Sequence, residues 1–116
     1  MDEVAEQLAG WGKVARLRTR GRRSGRPVDV AVGYVDEPGG SLLVAAGSAD
    51  ADWALNLDRE PRCSVIIGDR ERQYVAEPLA SNERAQAVRD LILRYGTPAE
   101  RLGSGPAFRL RPVPID

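Results

Sequence analysis

At 116 residues and 42% hydrophobic, the chain has the length of one domain and enough apolar material for a self-supporting core. Its 17 basic and 17 acidic residues cancel, so it lacks the basic excess that marks binders of nucleic acid. With one cysteine, no apolar run near membrane-span length and no leader pattern, the expectation is a reduced, cytoplasmic protein without disulfide or transmembrane segment.

In chain order, Asp2 to Trp11 opens with acids and spaces Val4, Leu8 and Trp11 four and three apart, which predicts a short amphipathic helix stopped by Gly12. Lys13 to Thr19 predicts a strand. After an arginine-rich turn, Val28, Val30, Val32 and Tyr34 alternate with Asp29, Ala31 and Gly33, the clearest period-two signal in the chain. Asp36 to Gly40 predicts a hairpin connection, and Ser41 to Ala46 a strand buried on both faces. Gly47 to Pro61 predicts a loop entering a short helix, capped by Asp50 or Asp52, with Trp53 and Leu57 on one face. Two strands follow, Arg62 to Gly68 and Arg72 to Leu79. Ser81 then precedes a helix over Glu83 to Tyr95 with a stripe of Ala85, Val88, Leu91, Ile92 and Tyr95. Ala107 to Val113 predicts the last strand. The sum is an α+β protein, mostly β: six antiparallel strands forming a small barrel, with two or three flanking helices.

The absence of histidine narrows the chemistry most. Serine–histidine and cysteine–histidine catalysis are excluded, and so are histidine-built metal sites; no metal is expected. An enzyme built this way relies on carboxylates, tyrosines or a cofactor that carries the reactive atom.

Two constellations stand out. Lys13, Arg16, Arg18, Arg20, Arg22, Arg23 and Arg26 bring seven positive charges with no acid between Glu6 and Asp29. Either they form a solvated strand face and turn, or they form an anion site, in which Gly21 and Gly25 allow tight backbone, Ser24 adds a hydroxyl and guanidiniums hold phosphate bidentately. The spacing is not that of a P-loop, and no aromatic residue interleaves with the run to stack bases. The second constellation is the Gly47–Ser48 corner followed by Trp53 and Asn56. It could hold a planar ligand, or it could be a core tryptophan with an asparagine bonded to backbone. Tyr34, Tyr74 and Tyr95 are candidates for proton donors or for packing, and Cys63 reads as a small buried hydrophobe. No catalytic residue is singled out.

Taken together, the Thr-x-Gly-Arg-Arg-Ser-Gly run at Thr19–Gly25, the Gly33–Tyr34 strand end, the apolar Leu42–Ser48 segment, the Trp53/Asn56/Leu57 spacing and Pro61–Val65 resemble the deazaflavin-dependent nitroreductase family. The resemblance implies a split β-barrel binding the deazaflavin coenzyme F-420. It implies hydride transfer from that coenzyme to a small electron-poor acceptor such as a quinone, an activated alkene or a nitroaromatic. It also implies that Arg22, Arg23 and Ser24 contact the phosphate and acidic tail. Tyr34, Gly47 and Ser48 would border the ring and ribityl chain, and Trp53 and Asn56 would organise the pocket wall. Val28 and Ala31 stand where the family has arginine and proline, and an acid, Asp52, precedes the tryptophan. Those departures motivate a second expectation: a non-catalytic split-barrel module holding another anionic ligand, such as a flavin (FMN) or a fatty acid. The expected partners are small molecules, not nucleic acid, with the chain a monomer or homodimer.

Overall fold

A computed structural model describes residues 14–95 and 105–114; the expected N-terminal helix lies outside them. Strand β1 (Ala15–Arg20) turns Ala15, Leu17 and Thr19 inward and its arginines outward. The threonine completes an alternation that looks broken when only apolar residues are counted. β2 (Pro27–Val32) pairs with β1 along its whole length, from Ala15 opposite Val32 to Arg20 opposite Pro27. On the outer face this register sets Arg18 against Asp29, joined by two hydrogen bonds of 2.7 and 3.0 Å.

The period-two run does not continue as one strand to Tyr34. β2 ends at Val32, the chain bends over Gly33 and Tyr34, and β3 (Val35–Asp36) pairs with β4 (Leu42–Ala45) instead. The remaining strands are β5 (Arg62–Ile67), β6 (Arg70–Pro78) and β7 (Ala107–Pro112), so seven strands replace the expected six. The sheet is antiparallel throughout, in the order β2-β1-β5-β6-β7-β4-β3. Its two outermost strands are thus consecutive in sequence and separated by two residues. Three Cα steps of about 3.8 Å cannot span more than roughly 11 Å, so the sheet must curl until its edges nearly meet. The result is a split-barrel fold, and the bend at Gly33–Tyr34 is where one chain segment passes from one edge to the other. Alternation does not reveal that bend, because Val32 and Tyr34 are both buried, as they would be in a straight strand.

β5 and β6 join through a two-residue connection with Ile67 opposite Arg70, so β6 begins two residues before the expected Arg72. All four residues of β4 are buried, as its composition predicts. Leu42 and Val44 enter the barrel interior, while Ala45 meets Val88, Leu91 and Ala107 under the longer helix. Helix α1 (Asp52–Arg59) turns Trp53, Ala54 and Leu57 into the interior cluster, and the Trp53 ring lies 6.0 Å from that of Phe108. Neither Asp50 nor Asp52 caps it: Ala51 occupies the cap position, makes no side-chain bond, and offers only its carbonyl to Ala54 and Leu55. Asp52 turns instead to an arginine described below. Helix α2 (Ser81–Tyr95) packs on β3, β4 and β7. It buries Val88 and Leu91 as expected but Ala87 rather than Ala85, which is exposed. Both alanines fit a helical stripe, and only docking against the sheet selects between them. Cys63 is buried as a free thiol, and that burial pushes its pKa up to about 12. No described helix is long and apolar enough to cross a membrane.

Candidate functional site

The connection between β1 and β2 is a closed six-residue turn. The Gly21 amide donates to the Arg26 carbonyl and the Gly25 amide to the Gly21 carbonyl, both at 2.8 Å. The Arg26 amide donates to Ser24 Oγ at 3.1 Å. Gly25 has a φ of +73°, and a Cβ on Gly21 would lie 2.7 Å from Ser24 Oγ and 3.2 Å from the Arg26 carbonyl oxygen. Glycine is needed at the first position by backbone conformation and at the second by space. On this fixed backbone Arg23 and Arg26 are exposed, while Arg22 is half-buried.

Asn56 of α1 anchors it. This side chain is 2% exposed and donates from Nδ2 to Thr19 Oγ1 at 3.1 Å. Its Oδ1 accepts from the Arg22 amide at 3.2 Å and from Arg22 Nη1 at 2.9 Å. One buried amide thus ties strand, turn and helix together, with every polar atom used. Arg22 Nη2 also reaches Asp52 Oδ1 at 3.1 Å.

Three clefts surround the turn. One of about 480 Å³ is walled by Arg20, Arg22, Arg23, Ser24, Arg59 and Glu60. A second, about 440 Å³, continues past Arg20 over the outer sheet face to Arg62, Ser64 and Gln73. A third, about 210 Å³, lies between Arg22, Arg23, Val28, Asp52 and Asn56. Among the described residues Arg20, Arg23, Arg26 and Arg59 make no ion pair, whereas Glu60 is taken by Arg62 at 2.7 Å. That hydrogen bond from Arg62 holds the Glu60 carboxyl below its usual range, so the acid stays ionised and occupied. The clefts accordingly present several guanidiniums without an ion pair beside two committed carboxylates, Glu60 and Asp52, a donor set for phosphate and carboxylate groups.

Of the residues singled out from sequence, Arg22, Arg23, Ser24 and Asn56 come together here. Trp53 is 9% exposed and packs in the core. Tyr34 is 5% exposed beneath the Arg94 guanidinium, 4.5 Å from its ring centroid. Burial pushes the phenols of Tyr34 and Tyr74 up, keeping both protonated. Gly47 and Ser48 form an exposed corner between β4 and α1, where the Ser48 carbonyl accepts from the Ala51 amide at 3.4 Å. Arg59, Glu60 and Arg62 were not anticipated near the turn. They sit 33 residues or more beyond Arg26, and only the pairing of β5 with β1 and the placement of α1 bring them there.

Comparison with known proteins gives one family and a common fold. The family profile of the F420H(2)-dependent quinone reductase matches residues 2–101. Among solved structures, the heme storage protein HutZ from Vibrio cholerae superposes with a TM-score of 0.74 at 22% identity, covering 98% of this chain and 91% of that one. An F420-H2 dependent reductase gives 0.72 at 24% identity over 85% and 94% of the two chains. An F420 reductase gives 0.66 at 20% identity over 98% and 97%. At such identities these structures share the fold. A search of curated proteins found no match. The profile match, which spans the arginine turn, α1 and every strand but the last, establishes that the chain belongs to the F420H(2)-dependent quinone reductase family.

Proposed function

We propose that the protein is a coenzyme F-420-dependent oxidoreductase acting on a small electron-poor acceptor, with a quinone as the first candidate and activated alkenes and nitroaromatics as others of the same class. The observation that carries the reading is the arginine turn, whose clefts combine four guanidiniums with a serine hydroxyl and two glycine backbones. When bound, the reduced coenzyme supplies a hydride, which with one proton from solvent reduces the acceptor by two electrons. The chain's own residues bind and orient. Arg20, Arg23 and Arg59 hold phosphate and carboxylate oxygens, and Ser24 lies between them. Asn56 presents Arg22 and, with Trp53, organises the wall from the core side. The exposed Gly47–Ser48 corner and the Tyr34 bend are the proposed borders of the ring and ribityl chain. No histidine is needed, since the reactive hydrogen comes with the coenzyme.

Titration with coenzyme F-420, followed by its fluorescence, tests the reading; absence of binding on the order of tens of micromolar would refute it. Replacing Arg22 and Arg23 together by Met should weaken binding about tenfold or more, with most of the loss at low salt, because charge-assisted contacts are removed. Unchanged affinity would count against the assignment. A second reading, a non-catalytic carrier of a flavin or another anionic ligand, draws on the burial of Tyr34 and Trp53, which turns both rings away from the clefts. Mass spectrometry of co-purifying ligands, with an assay of reduced-coenzyme oxidation by menadione, separates the two.

A further inference from the structure

We propose that Asp52 is a built-in competitor for Arg22, so that an anion entering the third cleft reaches this guanidinium only by displacing the protein's own carboxylate. Arg22 has two holders of different kinds. Asn56 is buried, neutral and fixed in turn by Thr19; it grips the Arg22 backbone and Nη1 without cancelling any charge. Asp52 has a side chain that is 81% exposed, and its Oδ1 meets Nη2 at 3.1 Å. An exposed pair of this kind contributes little to folding and separates easily, whereas the buried amide does not. Asn56 therefore positions the guanidinium, and Asp52 occupies it.

The consequences are electrostatic. The cleft of about 210 Å³ is lined by Arg22, Arg23 and Asp52, and Asp52 is its one acid among the described residues. An entering anion finds Arg23 free and Arg22 taken by a carboxylate of the protein's own. A ligand with a single carboxylate offers Arg22 nothing that Asp52 does not already supply, and gains little by displacing it. A phosphate-bearing or multiply charged ligand engages Arg22 and Arg23 together and expels the carboxylate toward solvent. Asp52 thus lowers affinity for every anion that needs Arg22. This inference rests on the anion-binding reading of the turn given above.

The test measures binding of coenzyme F-420 by fluorescence, and of inorganic pyrophosphate and acetate by calorimetry. The proteins are wild type, Asp52→Asn, Asp52→Ser, and each combined with Arg22→Met. Removing the charge should tighten pyrophosphate and coenzyme binding about two- to fivefold at low salt, and the gain should fade toward half-molar salt. It should raise acetate affinity by no larger a factor than pyrophosphate affinity, since the carboxylate repels the more highly charged ligand more, and Arg22→Met should abolish the gain for all three. Binding of pyrophosphate that is unchanged or weakened in both Asp52 variants, undetectable in all of them, or equally improved in the Arg22→Met background overturns the inference. If pyrophosphate tightens as expected while no protein binds the coenzyme, the Asp52 inference stands and the proposed function falls. If the coenzyme binds wild type but neither Asp52 variant binds anything more tightly, the function stands and the inference falls.

Discussion

Asn56 does more than any other single side chain near the turn, because its three hydrogen bonds join its own helix to a strand and to the turn. Replacing it with alanine strands Thr19 Oγ1 and the Arg22 amide, in a place where the asparagine is 2% exposed. The expected loss is about 1–3 kcal/mol of stability, read from the midpoint of urea unfolding, with the slope of the transition unchanged. A loss below roughly 0.5 kcal/mol would mean that the network is not a structural anchor. The same residue shows what could be read from sequence at this scale. A backbone-bonding asparagine beside a core tryptophan was one of the two readings open for that segment, and both side chains adopt it. That Asn56 would bond to the amide of Arg22, 34 residues earlier, could not be read, since it depends on where α1 docks.

At the scale of elements, the bend between β2 and β3 is the distinctive feature. Tyr34 leaves the ladder there, and the Tyr95 hydroxyl serves it twice, accepting from the Tyr34 amide at 3.1 Å and donating to its carbonyl at 3.2 Å. The last residue of α2 thereby fastens the seam of the barrel. Its ring packs so near Gly33 that a Cβ there would sit 3.0 Å from it. Tyr95→Phe keeps the ring and removes the fastener; it should cost about 1–3 kcal/mol and speed amide exchange at Tyr34 in hydrogen-exchange measurements. An unaltered exchange rate at Tyr34 would show that the hydroxyl does not hold the seam. Helical spacing placed Tyr95 on the buried stripe, but spacing describes a ring against a sheet and is silent about the hydroxyl at its tip.

For the whole molecule, charge is neutral in sum and strongly sorted in space. Outside the turn, arginines pair with acids: Arg18 with Asp29 and Arg111 with Glu77 across strands, and Arg109 with Glu37 after β3 and with Glu83 on α2. Hydrogen bonds from Arg18 and Arg111 hold Asp29 and Glu77 below their usual range. A depressed folded-state value means that the stabilisation is present above the unfolded carboxylate value near pH 4 and is lost as pH falls through the folded one. Buried Cys63 works in the opposite sense, with stability intact below its ordinary value of 9.0 and declining as pH rises toward about 12. Urea midpoints should therefore be level between these limits and fall on both sides, and Asp29→Asn should flatten the acid limb. An acid limb identical in that variant would show that the pair carries no linkage. From the sequence alone came the mostly β class, six of the seven strand positions, both described helices, the arginine turn and the family it points to, because alternation, helical spacing and turn composition are local properties. Tertiary structure alone decided that the chain leaving the second strand crosses to the opposite sheet edge, that Ala87 rather than Ala85 faces the sheet, and that Asp52 meets Arg22 instead of capping its helix. Each of these outcomes is a competition between partners distant in the chain, and it is settled only when closure of the sheet brings them within reach.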